Sequence, residues 1–168
     1  MKEEDKTITK PIDFTKSSIY FVTFSVKDNV CCFSQIRQKN TKTGIHFSIK
    51  LLPSGILLKN RIRRLAKQYS YLTVLECVLM PNHFHLLIEV DYQQNTRLKK
   101  ADRIFKTILS EFKNSTANVI KTKQFPEFSW NKSSHVFQIP DKVAYQDIVD
   151  YIANNPERWH QDVFFVKG

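Results

Sequence analysis

The stretch from Val78 to Val90 constrains the fold more than any other part of this chain. It reads as a strand, a break at Pro81-Asn82, and a second strand in which apolar residues alternate with other residues. The apolar positions, which predict a face packed against a core, are Phe84, Leu86, Ile88 and Val90. His83 and His85 fall on the opposite face, so their imidazoles are expected to lie side by side on a rigid support.

Two imidazoles in this arrangement can hold a divalent metal ion. A His-x-His pair on a strand is also often two half-exposed histidines without a ligand, and the pair taken alone favours that plainer interpretation. Other features of the chain must therefore decide between the two.

Basic residues are concentrated in two segments of a chain whose formal net charge is +10. Residues 29–75 contain nine Lys or Arg and no acidic residue, and residues 97–123 contain eight basic residues against two acidic ones. Isolated charges usually only solvate helix faces, but an acid-free run of this length favours a polyanion such as nucleic acid.

Length and composition exclude several other classes of protein. The 168 residues, 42% hydrophobic, are enough for one domain with one core, and we expect a single domain over 1–168. Only three glycines occur, and no Gly-rich nucleotide loop is found, so no nucleotide cofactor is expected. No apolar run approaches a membrane span, and the charged N-terminus lacks a signal-peptide core. The three cysteines fit neither a disulfide framework nor a zinc site, which favours a reducing cytosol.

The order of elements predicts an α+β fold, an antiparallel sheet with helices packed against one face. Strands are predicted over residues 19–26, 71–80, 83–90 and 135–139, and helices over 56–69, 97–122 and 142–154. Residues 1–17 are expected to form a loose leader, and 30–40 an irregular connection. Residues 44–52 fit a strand or the lead into a helix equally well.

The last predicted helix places a tyrosine next to other polar side chains. Its apolar anchors are Ala144, Ile148 and Ile152. Tyr151 shares a face with Asp147 and Asn155, which lie four residues before and after it. This patch could serve a metal site, although a packed tyrosine whose hydroxyl reaches solvent is the plainer interpretation.

Two segments together resemble a known family. They are Met80-Pro81-Asn82-His83-Phe84-His85-Leu86-Leu87 and, about 65 residues later, Tyr151-Ile152-x-Asn154-Asn155-Pro156. At this spacing they resemble the single-tyrosine HUH transposases, in particular the REP-associated tyrosine transposase branch of the insertion-sequence-200-like family. The strand Tyr20-Phe21-Val22-Thr23-Phe24, the helix segment Arg103-Ile104-Phe105-Lys106, Trp130 and Pro156-x-x-Trp159 also fit in order.

The resemblance implies a ferredoxin-like sheet, a metal site and a covalent mechanism. His83 and His85 would bind Mg²⁺ or Mn²⁺, and Tyr151 would be the nucleophile that becomes joined to the 5′ end of cut DNA. Asn155 would complete the metal site, with Asp147 or a water molecule as the alternative third ligand, because Pro156 perturbs the helix there. The region 31–52 is longer and more basic than the family leads us to expect.

The substrate implied by the resemblance is single-stranded DNA containing a folded hairpin. Basic faces can follow phosphates, and aromatic side chains can stack on bases. The candidates for contact with the DNA backbone are Arg61, Arg63, Arg64, Lys99, Arg103 and Lys106. We expect a cytoplasmic, nucleoid-associated protein, monomeric like its branch, with the dimer of other relatives as the alternative.

Two other functions compete with a DNA strand-transferase. One is a hairpin-binding module of the same fold that has lost catalysis, and the other is a metal-dependent hydrolase that uses the histidines without the tyrosine. The presence of His83, His85 and Tyr151 together favours the transferase.

Overall fold

The computed structural model describes residues 12–91 and 101–167, without the side chains of residues 101 and 102. Within these ranges, six strands and three α-helices follow one another in the order β1, β2, β3, α1, β4, β5, α2, β6, α3. The strands are β1 (Ser17–Ser25), β2 (Ser34–Thr41), β3 (Gly44–Leu51), β4 (Leu72–Leu79), β5 (His83–Asp91) and β6 (His135–Ile139). The helices are α1 (Pro53–Gln68), α2 (Ala101–Lys123) and α3 (Lys142–Asn154). Short 3₁₀ turns lie at Lys27–Asn29 and Trp159–Gln161.

Four strands form an antiparallel sheet in the order β4-β5-β1-β6. β1 is rich in aromatic and β-branched residues, which favour strands, and it lies in the interior beside β5. The register places Thr23 opposite His85 and Ser25 opposite His83. The histidines therefore lie on a central strand, and the predicted α+β fold with an antiparallel sheet is confirmed.

One face of the sheet is covered by α1 and α2. The apolar positions of β5 lie in this core, as predicted, with the buried stripes of both helices: Phe84, Leu86, Ile88, Val90, Leu58, Ile62, Leu65, Phe105, Ile108, Leu109 and Phe112. Ile56 of α1 is half exposed, because it is on the outer side of the first helical turn.

The other face carries the histidines, and α3 packs on it. Ile152 of α3 is buried in a second cluster with Leu87 of β5 and Ile139 of β6. The helix begins where Oδ1 of Asp141 accepts a hydrogen bond from the backbone N–H of Ala144 over 2.9 Å. It ends at Asn154, two residues before Pro156, as the sequence indicates.

β2 and β3 form a separate antiparallel ribbon, and the predicted irregular connection over 30–40 is therefore wrong. Ile36 and Ile49 face each other across the ribbon and pack into the histidine-side cluster. Arg37, Lys39 and Lys50 point the opposite way and are exposed. The sequence of β2 lacks the alternation of apolar and polar residues that predicts a strand. The reason is that only the base of the ribbon is covered, so most of its residues are exposed and polar.

Part of the expected leader also belongs to the fold. Ile12 and Phe14 pack against the cluster under α3, with the Phe14 ring 6.5 Å from that of Tyr145. Residues 1–11 lie outside the described residues, as does the predicted start of the second helix at 97–100. Within the described ranges, no helix has the length and apolarity needed to cross a membrane.

Gly55 provides a test of how closely α1 packs against the base of the ribbon. A Cβ built on Gly55 would lie within van der Waals overlap of the Phe33 carbonyl oxygen, and that carbonyl already accepts a hydrogen bond from the N–H of Leu52. We predict that Gly55→Ala lowers the free energy of unfolding by about 1–3 kcal/mol in urea denaturation, because backbone must move. Ile56→Ala, at an exposed neighbouring position, should change it by less than about 0.5 kcal/mol. Equal effects would contradict the close packing.

Candidate metal and tyrosine site

The two imidazoles of β5 converge at one point on the sheet. Nε2 of His83 lies 3.2 Å from Nε2 of His85, and both side chains are almost completely buried. The strand alternation predicted from the sequence therefore places both rings on the face that α3 covers.

Polar neighbours fix the orientation of each ring. Nδ1 of His83 is 3.0 Å from Oδ1 of Asn82. The amide nitrogen of Asn82 donates to the carbonyl oxygens of Asn29 and Phe164, so its Oδ1 is an acceptor and His83 carries its proton on Nδ1. Nε2 of His83 is then unprotonated, and its lone pair is available to a metal ion. Nδ1 of His85 lies 2.7 Å from the Thr23 hydroxyl, and this hydrogen bond fixes the orientation of that ring.

Burial keeps both imidazoles neutral. Desolvation, with the neighbouring His85 as a second cause, lowers the pKa of His83 to about 2, and desolvation lowers the pKa of His85 to about 4. Neutral imidazole is the form that binds metal ions. The 3.6 Å contact between Nε2 of His83 and Oδ2 of Asp162 is consequently not an ion pair at neutral pH.

Tyr151 projects from α3 towards the same point. Its hydroxyl is 3.3 Å from Nε2 of His85, and its ring meets Phe21 edge-on. The side chain keeps 39% exposure, which leaves the phenol reachable from solvent. Burial, and then the negative charge of Asp162, raise the pKa of Tyr151, while a hydrogen bond from Asn155 opposes the rise. Without a nearby cation, the phenol therefore stays protonated at neutral pH.

Asp162, which the sequence analysis missed, completes the group. Its Oδ2 and the ring nitrogens of His83 and His85 lie within 4.8 Å of one another. The carboxylate is anchored because the Phe164 N–H donates to Oδ1 over 2.8 Å. Burial raises the pKa of Asp162, as expected for a buried carboxyl group that has no cation bound beside it. No sequence signal pointed to it, since it follows the last regular helix and the chain must first turn back.

Asn155, predicted as a metal ligand, lies beside this group. It is 3% exposed, and its side chain interacts with both Tyr151 and Asp162. Among the described residues, nothing donates a hydrogen bond to its Oδ1. An orphaned buried acceptor is costly unless something positive satisfies it. Asp147, the alternative third ligand, is exposed and lies outside the His-Asp group.

This set of atoms fits a divalent cation. Two neutral imidazole nitrogens and one carboxylate oxygen meet in a nearly dry site, where acceptors without a cation would repel one another. The unpaired amide oxygen of Asn155 belongs to a side chain that contacts the same carboxylate. Mixed nitrogen and oxygen donors suit Mn²⁺ and are compatible with Mg²⁺.

The basic side chains predicted to contact DNA lie elsewhere. Arg61 and Arg64 line a groove between α1 and α2, and Arg103 and Lys106 are exposed on α2, on the side of the sheet away from the histidines. Arg63 is exposed on α1. Lys99 lies outside the described residues. The structure therefore does not bring the five described residues of this set together with the tyrosine.

The chain is similar to proteins of known family. The family model described as "Transposase IS200 like" matches residues 34–155, which is well over half of the chain. A Haemophilus influenzae protein described as uncharacterized is 25% identical over 170 residues, which cover 94% of this chain and 90% of that protein.

A solved structure shares the fold. A REP-associated tyrosine transposase bound to a REP hairpin aligns with a TM-score of 0.55 at 17% identity, covering 85% of this chain and 68% of that one. A crystal structure described as a putative transposase from Deinococcus radiodurans aligns with a TM-score of only 0.47 at 17% identity, over 88% of this chain and 97% of the other. On the match over residues 34–155, the chain belongs to the IS200-like transposase family.

Proposed function

We propose that this transposase-family protein cuts and rejoins single-stranded DNA through a covalent phosphotyrosine, in a reaction that depends on a divalent metal. The observation that carries the proposal is the 3.3 Å approach of the Tyr151 hydroxyl to Nε2 of His85, beside the converging donors of His83 and Asp162. A nucleophile and a cation-binding group within reach of one phosphate are what phosphodiester transfer requires.

The bonds made and broken balance without another reactant. The Tyr151 oxygen forms a bond to phosphorus as the bond from phosphorus to the 3′ oxygen breaks. The phenol loses its proton and the departing oxygen gains one, which leaves a free 3′-OH and a 5′-phosphotyrosine. Because this linkage is again a phosphodiester, another 3′-OH can attack it and restore a DNA strand without ATP.

We assign the metal to His83, His85, Asp162 and Asn155. A bound Mg²⁺ or Mn²⁺ would supply positive charge to the non-bridging oxygens and the leaving oxygen. The protein residues keep the imidazoles neutral, aim their Nε2 atoms and exclude water. Asp162 raises the pKa of Tyr151 only while its charge is unbalanced, so balancing that charge favours the phenolate.

One chain can supply the whole site. Tyr151 approaches the imidazoles of its own chain, so no partner subunit is needed to deliver the nucleophile. We therefore propose that the protein acts as a monomer.

The proposed substrate is a DNA hairpin with a single-stranded flank. A solved structure of the same fold carries a REP hairpin, and both basic segments of this chain present exposed cations. The ribbon of β2 and β3 lies on the histidine side of the sheet, with Arg37, Lys39 and Lys50 on its outer face. We propose the ribbon as the nearer surface for phosphates, and the predicted residues of α1 and α2 as a farther one.

A hairpin-binding module without catalysis is the second candidate. It is favoured by the raised pKa of Tyr151, which makes the phenol a weaker nucleophile at neutral pH.

We predict that Tyr151→Phe abolishes the SDS-resistant protein–DNA band that wild type forms with hairpin oligonucleotides and Mn²⁺, because no phenol oxygen remains to bond phosphorus. Binding should change less than about threefold, since only one hydroxyl is removed. Tyr145→Phe, on the same helix, is the matched control and should retain the band.

The outcomes separate the candidates. Wild type that binds hairpins but never forms the band would be a binding module. A Tyr151→Phe protein that still cuts DNA would be a hydrolase that does not need the tyrosine.

Metal binding itself can be measured without activity. We predict that Asp162→Asn weakens Mn²⁺ binding by at least about tenfold in electron paramagnetic resonance titrations, because a charged donor is lost. Asp147→Asn removes an equal charge on exposed α3 and should leave the affinity unchanged. Equal Mn²⁺ affinities of wild type and Asp162→Asn would contradict the assignment.

Salt dependence tests the basic surfaces. If Arg37 and Lys39 contact phosphates, the double variant Arg37→Gln/Lys39→Gln should reduce the slope of log affinity against log salt by about 2, measured by fluorescence anisotropy with hairpin DNA. The pair Arg63→Gln/Arg64→Gln removes the same charge from α1 and is the matched comparison. An unchanged slope for either pair would remove that surface from the interface.

A further inference from the structure

The edge strand β6 carries an exposed aromatic ring that neither the core nor the proposed chemistry uses. Phe137 is 56% exposed. It lies directly opposite Phe21 in the antiparallel register, so both side chains stand on the histidine face of the sheet. Directly opposite residues in such a pair have Cβ atoms about 4.5–5.5 Å apart.

Phe21 links this ring to the reacting groups. Its ring stacks on His85 with centroids 5.1 Å apart and meets Tyr151 edge-on at 6.0 Å. Two residues before Phe137 in β6, on the same face, exposed His135 lies opposite Thr23, the residue that holds His85. Phe137 is therefore one strand away from the Tyr151 site.

The packing of α3 leaves this ring bare. Ile139, two residues beyond Phe137 on the same face, is 3% exposed because it is buried in the cluster under α3. On the other side of the site, Trp159 and Phe164 pack against the ring of His83, with centroids 6.0 Å and 4.6 Å away. Among the described residues, the side towards His83 is thus covered, and the side towards β6 is open.

We propose that Phe137 is a stacking platform for a DNA base flanking the phosphate that Tyr151 attacks. The inference rests on the proposed function and adds the path of the strand. A strand whose phosphate reaches Tyr151 must leave across the open side, over Phe21 and the β6 edge. An exposed phenyl ring there accepts any base, because every base has a π-face. Its role is to position the strand.

The test measures binding in a Tyr151→Phe background, where no covalent step occurs. A fluorescein-labelled oligodeoxythymidylate is the probe, read by anisotropy. We expect Phe137→Ala and Phe137→Leu to weaken binding by about 5- to 150-fold, the range for loss of one stacked base, and Phe137→Trp to preserve it. The salt slope should not change, because no phosphate contact is removed.

Val136→Ala is the matched control. Val136 is also exposed, at 37%, but pairs with Val22 and faces the opposite side of the sheet, so its truncation should not affect binding. Equal melting temperatures of the variants would show that they fold alike. Should Phe137→Ala bind as tightly as its parent, or should Val136→Ala lose as much, the platform would be excluded.

Photocrosslinking gives an independent readout. With 5-iododeoxyuridine in place of thymidine, we expect a crosslinked peptide that contains Phe137, and its absence would overturn the proposal. Neither experiment uses the phosphotyrosine bond. If wild type formed no covalent band, the proposed catalysis would be contradicted, but the binding measurements on Phe137 would remain valid.

Discussion

The two-residue period of β5 is the constraint on which the rest of the structure depends. Each step along the strand reverses the side chain, so burying Phe84 and Leu86 under α1 and α2 necessarily turns His83 and His85 to the other face. A slip of one residue would put imidazoles into the apolar core and expose the phenyl ring. The hydrophobic energy of the core thus fixes the position of the polar site.

Burial of that polar site is what makes it chemically useful. A histidine in water has a pKa near 6.5 and is partly cationic. Under α3, desolvation keeps both rings neutral, while hydrogen bonds to Asn82 and Thr23 fix which atoms point inward. The same dryness leaves the amide oxygen of Asn155 without a partner among the described residues. Burying an unpaired acceptor lowers the free energy of unfolding unless a bound cation satisfies it. Such a local cost is typical of functional sites.

The ribbon of β2 and β3 is attached at the same end of the sheet. The N–H groups of Cys32 and Phe33 both donate to the carbonyl of Pro81, and the Ser34 hydroxyl donates to that of Leu79. The Pro81-Asn82 break before β5 is therefore held by the base of the ribbon. These hydrogen bonds couple the position of the basic ribbon to that of the histidines. Its apolar inner face is small, which explains why polar residues dominate its sequence.

The sequence by itself determined the strand that carries the histidines, the helix that carries the tyrosine and the α+β class, because each of these depends on local periodicity that burial enforces. It also pointed to Asn155 through helical spacing. Only the tertiary structure decided that Asp162 joins the imidazoles and that the arginines of α1 lie on the far side of the sheet. The physical reason is that these placements depend on how separate segments pack against one another, and no local pattern encodes the path by which the chain turns back.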